Sequence, residues 1–481
     1  MDRSAGEIRT FGSMQVTLRS LTRDFRFWLL LFTAVRLYGI TFPPLESNHT
    51  WRQTFTCMVA RNFLEEDPNL FTPRTDLAGF GPDAVAAEFP VFNYLIFLAA
   101  KLFGYGHWYG RIINLVVSSL GIWCFFLLAR RFFGERIALS AGIILVCSEW
   151  FMFSRKIMPD TFSASLALAG LWFLVRYADT GKPGRLVLFV VLSALGGLSK
   201  IPSVMITATG LILFFDKTIP RGRRIHLLAG LILAFVPVAA WYFIRVPRML
   251  AENGNALYFP RGLRQGLSEL WDHRAETLER FTFISLRSYV ALACLLAGGY
   301  MAIRHRDRIL GALLAITLPL LAGFMIRAGF VFATHDYYII PFVPVMALLA
   351  GYGLSNLGTG TLRYARIILV VIAIEGIANQ MHDFRVNPGK VHLLKLEAVA
   401  DSLCPRQEKI AITGGMNPEE MYFVHRKGRG VTDEEMRQPG LPAELAGQGY
   451  RLLFADRRKH PPIAGLTVVY RDAHYLVYRL R

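Results

Sequence analysis

The chain reads as an α-helical polytopic membrane protein. About eleven spanning helices and some juxtamembrane helices precede a small C-terminal α/β domain outside the membrane. Three observations lead there. Of the 481 residues 53% are apolar and the mean hydropathy is positive, whereas a soluble domain of this length carries more charge. Apolar runs recur up to residue 378 and then stop. Basic residues gather between those runs, the pattern that sets membrane topology.

The elements follow in order. Phe27–Phe42 is the first apolar segment; it lacks a small-residue cleavage site and reads as a retained helix, not a signal peptide. Thr50–Leu64 reads as a surface helix, because Trp51, Phe55, Met58, Val59 and Phe63 recur at helical spacing with Arg61 off that face. Its aromatics are expected to rest on lipid. Phe89–Phe103 is short and opens with Glu88 and Pro90, as an interfacial helix does. Further runs are Ile112–Leu128, Ile137–Phe153, Phe162–Val175, Leu186–Leu198, Ile201–Phe215, Ile225–Ile244, Tyr289–Ile303, Ile309–Ile326, Tyr338–Leu354 and Ile367–Ala378. Several fall short of the roughly 20 residues of a full span, which predicts a packed bundle. After Met381 charge rises and apolar runs shorten. Lys409–Thr413, Tyr450–Ala455, Leu466–Tyr470 and Tyr475–Tyr478 read as strands and Pro418–Val424 as a short helix. The expected division is 1–380 and 381–481.

The formal charge is +18. Its placement between apolar runs argues for topology and against nucleic acid. Arg19, Arg23 and Arg26 put the start of the first helix in the cytoplasm. If Phe89–Phe103 lies along the membrane surface, the clusters Arg130-Arg131…Arg136, Lys217…Arg224 and Arg304…Arg308 all fall inside, with Arg176, Lys182, Arg185, Arg363 and Arg366. If it spans, they fall outside, against the positive-inside rule. The first choice turns outward the stretches 43–111, 155–160, 245–287 and 327–337, and the tail. The five cysteines show no CxxC and no metal spacing. Cys57 and Cys404 share a side, but their spacing does not argue for a bridge.

Polar groups then sort by side. Glu46, His49, Arg52, Gln53, Arg61, Glu88, Asp160, Lys200, His335, Tyr337 and Tyr338 all project at the outer boundary. Ionisable groups at hydrocarbon are costly and suggest a site. Each has a plainer reading: Asp160 is a cap after Pro159, Lys200 a snorkelling lysine, the tyrosines aromatic-belt residues. Gly414-Gly415 reads as a tight turn rather than a phosphate loop. There is no HExxH, Walker loop or GxSxG. An outer-face transferase draws energy from an activated lipid-linked substrate. It needs a base for the acceptor hydroxyl and cations for the phosphate leaving group.

These residues resemble bacterial GT-C membrane glycosyltransferases of the protein O-mannosyltransferase and aminoarabinose-transferase group. The matching features are Glu46 to Gln53 with Thr56 and Arg61, Glu88-Phe89-Pro90 with Tyr94, Arg111, the Ser154-Arg155…Met158-Pro159-Asp160 segment, Ser199-Lys200-Ile201-Pro202, and His335 to Pro344. The resemblance implies a polyprenyl-phosphate sugar donor, inversion at the sugar carbon, and an inner-membrane enzyme with an extracytoplasmic site and tail. It implies a carboxylate base from the first outer loop, nearest to Glu46. The family's Asp-Glu pair is absent, so Glu88 and His49 stand beside it. On this reading Asp160 is expected to orient the acceptor or a cation, and Arg52, Lys200 and Arg111 to meet the donor phosphate. Gln53, His335, Tyr337 and Tyr338 line the substrate. The acceptor is a glycan, lipid or protein, and a divalent cation is left open because relatives differ.

Two other functions make different demands on the sequence. A lipid or sugar transporter or flippase predicts ionisable residues at mid-helix and often an internal repeat; here Glu375 is the exception in nearly uncharged midplane stretches, and no repeat is visible. An envelope scaffold would work through the tail.

Overall fold

The computed structural model describes residues 22–254, 257, 260–357 and 364–480. Arg19 and Arg363, counted among the basic clusters, lie outside the described residues. The first apolar segment forms α1 (Phe25–Arg36), whose N-cap Asp24 accepts from Arg26 N. Then come α2 (Thr50–Glu65), α3 (Val91–Phe103), α4 (Tyr109–Phe133), α5 (Glu135–Cys147), α6 (Pro159–Thr180), α7 (Pro183–Ser199) and α8 (Arg221–Ala240). Beyond the short helices Val246–Asn253, Leu263–Asp272 and Arg274–Glu279 follow α9 (Tyr289–Arg304), α10 (Arg308–Ala328), α11 (Val343–Asn356) and α12 (Ala365–Ala378).

Among the described residues four helices are long and apolar enough to cross a membrane: Tyr109–Phe133, Pro159–Thr180, Arg221–Asn253 and Arg308–Ala328. A fifth counts if Arg274–Ile284 and Tyr289–Arg304, bent by 93°, form one span. The other apolar runs fold as shorter pieces. Ile201–Phe215 is broken into a 3-10 turn and two short helices. Close crossings hold the bundle together. A Cβ on Gly298 of α9 would fall 1.9 Å from Leu349 O of α11, so these backbones meet through small residues, as helices do when lipid offers no hydrophobic contrast.

The expectation that α2 rests on lipid is corrected. Every residue from Arg52 to Phe63 is buried. The helix lies between α3 and the short helix Pro418–Val424. Arg61 donates to Tyr422 O at 3.0 Å and pairs with Asp76 at 3.0 Å. Its aromatics therefore pack in a protein interior.

The tail folds as a five-stranded sheet of β1 (Ile410–Thr413), β2 (Gly428–Val431), β3 (Leu452–Asp456), β4 (Thr467–Arg471) and β5 (Tyr475–Arg479), in the order β2-β1-β3-β5-β4. β1 runs parallel to β2 and β3, while β5 pairs antiparallel with β3 and β4. β2 has no alternating pattern and escaped the sequence reading. All five cysteines are free thiols.

Candidate active site

The site forms where helix ends meet. α6 starts at Pro159, whose fixed φ suits a first helical position, and its first turn presents Asp160. α7 stops at Ser199 because Pro202 has no N–H to give Leu198 O. That carbonyl instead accepts Phe89 N at 3.1 Å and Tyr242 Oη at 3.0 Å. The break thus draws the Glu88-Phe89 segment beside Lys200, which takes an extended conformation.

Lys200 Nζ stands 3.1 Å from Asp160 Oδ1 and 3.3 Å from Glu88 Oε1. Arg52, from the first turn of α2, closes on Glu88. Burial opposes charge on Glu88, but Arg52 and Lys200 outweigh it and hold its carboxyl well below the usual range. Two carboxylates and two cations from four segments make one buried network. The Glu88 side chain keeps 22% exposure and Lys200 11%, and Glu88 lines a small cavity with Arg52, Asn93, Pro159 and Ser199. The rings of Tyr337 and Tyr338 lie 5.1 and 5.5 Å from Lys200 Nζ, within cation–π range.

A second network lies deeper. Glu46 and Arg111 are both 0% exposed and directly paired. Arg155 and Lys156 approach Glu46 at 3.3 and 3.6 Å. Gln53 donates to Glu46 Oε2 at 3.1 Å, while its own oxygen accepts Ile157 N at 3.2 Å. Burial alone would raise the Glu46 carboxyl, yet these three cations and Gln53 hold it below the ordinary value. Glu46 is enclosed by cations, and Arg111 pairs with Glu46 and donates to Pro43 O. Gln53 belongs to this anchor too.

His49 packs against Tyr337. Their ring centroids are 5.4 Å apart, and Phe153 lies 5.1 Å away. His335 packs on Tyr337 at 5.4 Å, with Nδ1 near Val331 O and Thr334. Asp336 adjoins His49, Arg287 adjoins Asp336 and Glu149 adjoins Arg287; none was among the expected site residues, although Asp336 lies inside the His335 to Pro344 motif and Glu149 is an acid inside the apolar run Ile137–Phe153.

Among the described residues no group of three His, Cys, Asp or Glu side chains is placed to hold a metal. Asp160 and Glu88 converge on an ammonium, so a divalent cation there would sit against a like charge. The residues do not fit a resident metal, and no step is routed through one.

Comparison with known proteins now bears on this arrangement. A family model described as "Dolichyl-phosphate-mannose-protein mannosyltransferase" matches residues 86–241, the stretch that holds Glu88, Asp160 and Lys200. The structure superimposes on ArnT from Cupriavidus metallidurans in the apo state with a TM-score of 0.62 and 16% identity, covering 94% of this chain and 98% of that one. ArnT bound to undecaprenyl phosphate gives 0.60 and 14%, with the same coverage. The Archaeoglobus fulgidus oligosaccharyltransferase in the apo form gives 0.56 and 12%, covering 90% of this chain and 69% of that one. This is the GT-C fold. The chain resembles the membrane glycosyltransferases ArnT and the protein mannosyltransferases. No curated protein matches it by sequence.

Proposed function

We propose that this chain transfers a sugar from a polyprenyl-phosphate donor to an acceptor hydroxyl at the outer face of the bacterial inner membrane. The observation that carries the reading is the Arg52–Glu88–Lys200–Asp160 network at the helix ends of a GT-C fold. Arg52 and Lys200 are preorganised cations. A phosphate entering beside them replaces carboxylate contacts with phosphate contacts and is neutralised as charge develops on the leaving oxygen. The sugar C1–O bond breaks with its electron pair going to phosphate. The acceptor oxygen attacks from the opposite side, which inverts C1. Asp160 and Glu88 keep the two cations in position, and Tyr337, Tyr338 and His335 wall the sugar.

An apolar cavity of about 110 Å³ is lined by Phe125, Leu168, Met205, Pro341 and Leu348. It suits part of an isoprenoid chain. ArnT bound to undecaprenyl phosphate and an archaeal oligosaccharyltransferase in complex with a dolichol-phosphate make the same donor class the natural one here.

The orientation rests on charge. Arg130 and Arg131 end α4, Arg176 lies near the end of α6, Arg221 opens α8, Arg304 ends α9 and Arg308 opens α10. All lie at the helix ends remote from Asp160 and Lys200. With that basic face inward, the site and the tail from 381 onward face outward, and the broken helices compose about eleven crossings.

Purified protein, incubated with membrane vesicles and undecaprenyl-phosphate-linked hexoses and pentoses, tests this. The reading expects consumption of one donor and loss of at least ~10²-fold in Glu88→Gln and Asp160→Asn. Full turnover in both variants would refute the site; no consumption of any donor would refute the function.

A further inference from the structure

We infer that His49 takes the proton of the incoming hydroxyl, and that Asp336, braced by Arg287 and Glu149, is the residue that positions it. This rests on the glycosyltransferase reading and names the base within it.

The carboxylates of the site are poor bases. Glu46 is walled in by Arg111, Arg155 and Lys156. Glu88 and Asp160 are tied to Arg52 and Lys200, the same cations a phosphate would use. A carboxylate held by these cations has its oxygens occupied, whereas the His49 imidazole keeps one ring nitrogen free of any partner among the described residues.

His49 is built for the task. It precedes α2 in a left-handed conformation, φ 63°, uncommon for a residue with a side chain. Strain of this kind persists where surroundings enforce it. Arg287 shares it, with φ 52°. Between them stands Asp336. Its Oδ1 lies 3.0 Å from His49 Nε2, and its Oδ2 lies 3.4 Å from Arg287 Nη2. The His49 contact is an ion-pair approach rather than an aligned hydrogen bond, and both atoms are buried with no other hydrogen-bond partner among the described residues. Such contacts tighten when substrate binds. Arg287 Nη2 also donates to Glu149 Oε1 at 2.8 Å, and Asn379 holds the Arg287 carbonyl at 3.1 Å. Glu149 is 0% exposed, so the brace is anchored in the core.

With Nε2 turned to Asp336, Nδ1 is the nitrogen left for an acceptor. Burial disfavours charge on Asp336, but His49, Arg287 and Lys156 outweigh it and keep the carboxylate ionised. It therefore stabilises the imidazolium once the proton arrives. His49 and Lys200 both border the Tyr337 ring, so acceptor activation and phosphate departure share one aromatic wall. In the step, the hydroxyl proton moves to His49 Nδ1, the acceptor oxygen bonds to C1, and the C1–O bond to phosphate breaks with its electrons leaving on phosphate.

The test uses the full chain with two readouts: binding of undecaprenyl phosphate alone, and turnover of undecaprenyl-phosphate-linked hexoses and pentoses in membrane vesicles. His49→Ala should lose roughly 10²–10⁴-fold in kcat and bind undecaprenyl phosphate as the wild type does. Imidazole in the buffer should restore part of its rate. Asp336→Asn should lose at least ~10-fold in kcat at unchanged KM, with Asp336→Glu recovering part. His49→Gln controls for folding through its lipid binding. Full turnover in His49→Ala, or loss of lipid binding in step with kcat in all variants, would overturn the inference. A wild type that neither binds undecaprenyl phosphate nor turns over a donor refutes the parent reading instead, and this one with it.

Discussion

Lys200 Nζ and Asp160 Oδ1 meet at 3.1 Å, one at the end of α7 and the other in the first turn of α6. Each helix end carries its charge to the place where the other can neutralise it. Lys200→Met leaves Asp160 buried and unpaired, which costs about 3–5 kcal/mol when one partner of a buried pair is removed. A lowered Tm should result. The double variant Lys200→Met/Asp160→Asn should regain part of that loss without regaining turnover. A double variant no more stable than the single one would show that the pair is not coupled.

Glu46 has a different job. Glu46→Gln strands Arg111, Arg155 and Lys156 around a neutral amide, so stability should fall by about 3–5 kcal/mol. The folded fraction should keep near-normal kcat. Thermal unfolding and turnover measured on the same preparation check this. Normal Tm with abolished kcat would return Glu46 to the role of base.

α2 is pinned to the tail through Arg61, which pairs with Asp76, donates to Tyr422 O and lies 4.6 Å over the Tyr422 ring. Arg61→Ala should lower stability by about 3–5 kcal/mol and speed proteolysis of the tail in the intact protein. Proteolysis at the wild-type rate would argue that other contacts dominate this junction.

The C-terminal sheet carries a pH signature. Glu420 lies behind the Gly414 turn, and burial, with Glu419 nearby, raises its carboxyl to about 7 from an ordinary 4.5. The folded value exceeds the unfolded one. Its stabilising contribution is therefore fully present below about pH 4.5 and is lost as pH rises through about 7. Glu420→Gln should flatten the fall in Tm between roughly pH 4.5 and 7. Parallel curves for the two proteins would contradict this.

Much of this architecture was legible in the sequence, for one physical reason. A charge beside a hydrocarbon run is expensive, so Asp160, Lys200, Glu88 and His49 stand out at the run ends before any coordinates exist. Their convergence on Tyr337 follows from sharing one face. The resemblance to GT-C transferases was legible for the same cause. What stayed hidden depends on distant partners. Arg287 is one basic residue among many until Glu149 and Asp336 close on it. The enclosure of Glu46 needs Arg155 and Lys156 to fold back. The apolar stripe of α2 looks the same against lipid as against protein, and the tail that covers it lies hundreds of residues on. β2 is Gly-Arg-Gly-Val, whose strand identity comes from its pairing with β1.

The most direct measurement is the affinity of the purified protein for undecaprenyl phosphate, compared between wild type, Lys200→Met and Arg52→Gln. The account predicts saturable binding by wild type and at least ~10-fold weaker binding by each variant. Equal affinity in all three would contradict it, because the phosphate would then be held elsewhere.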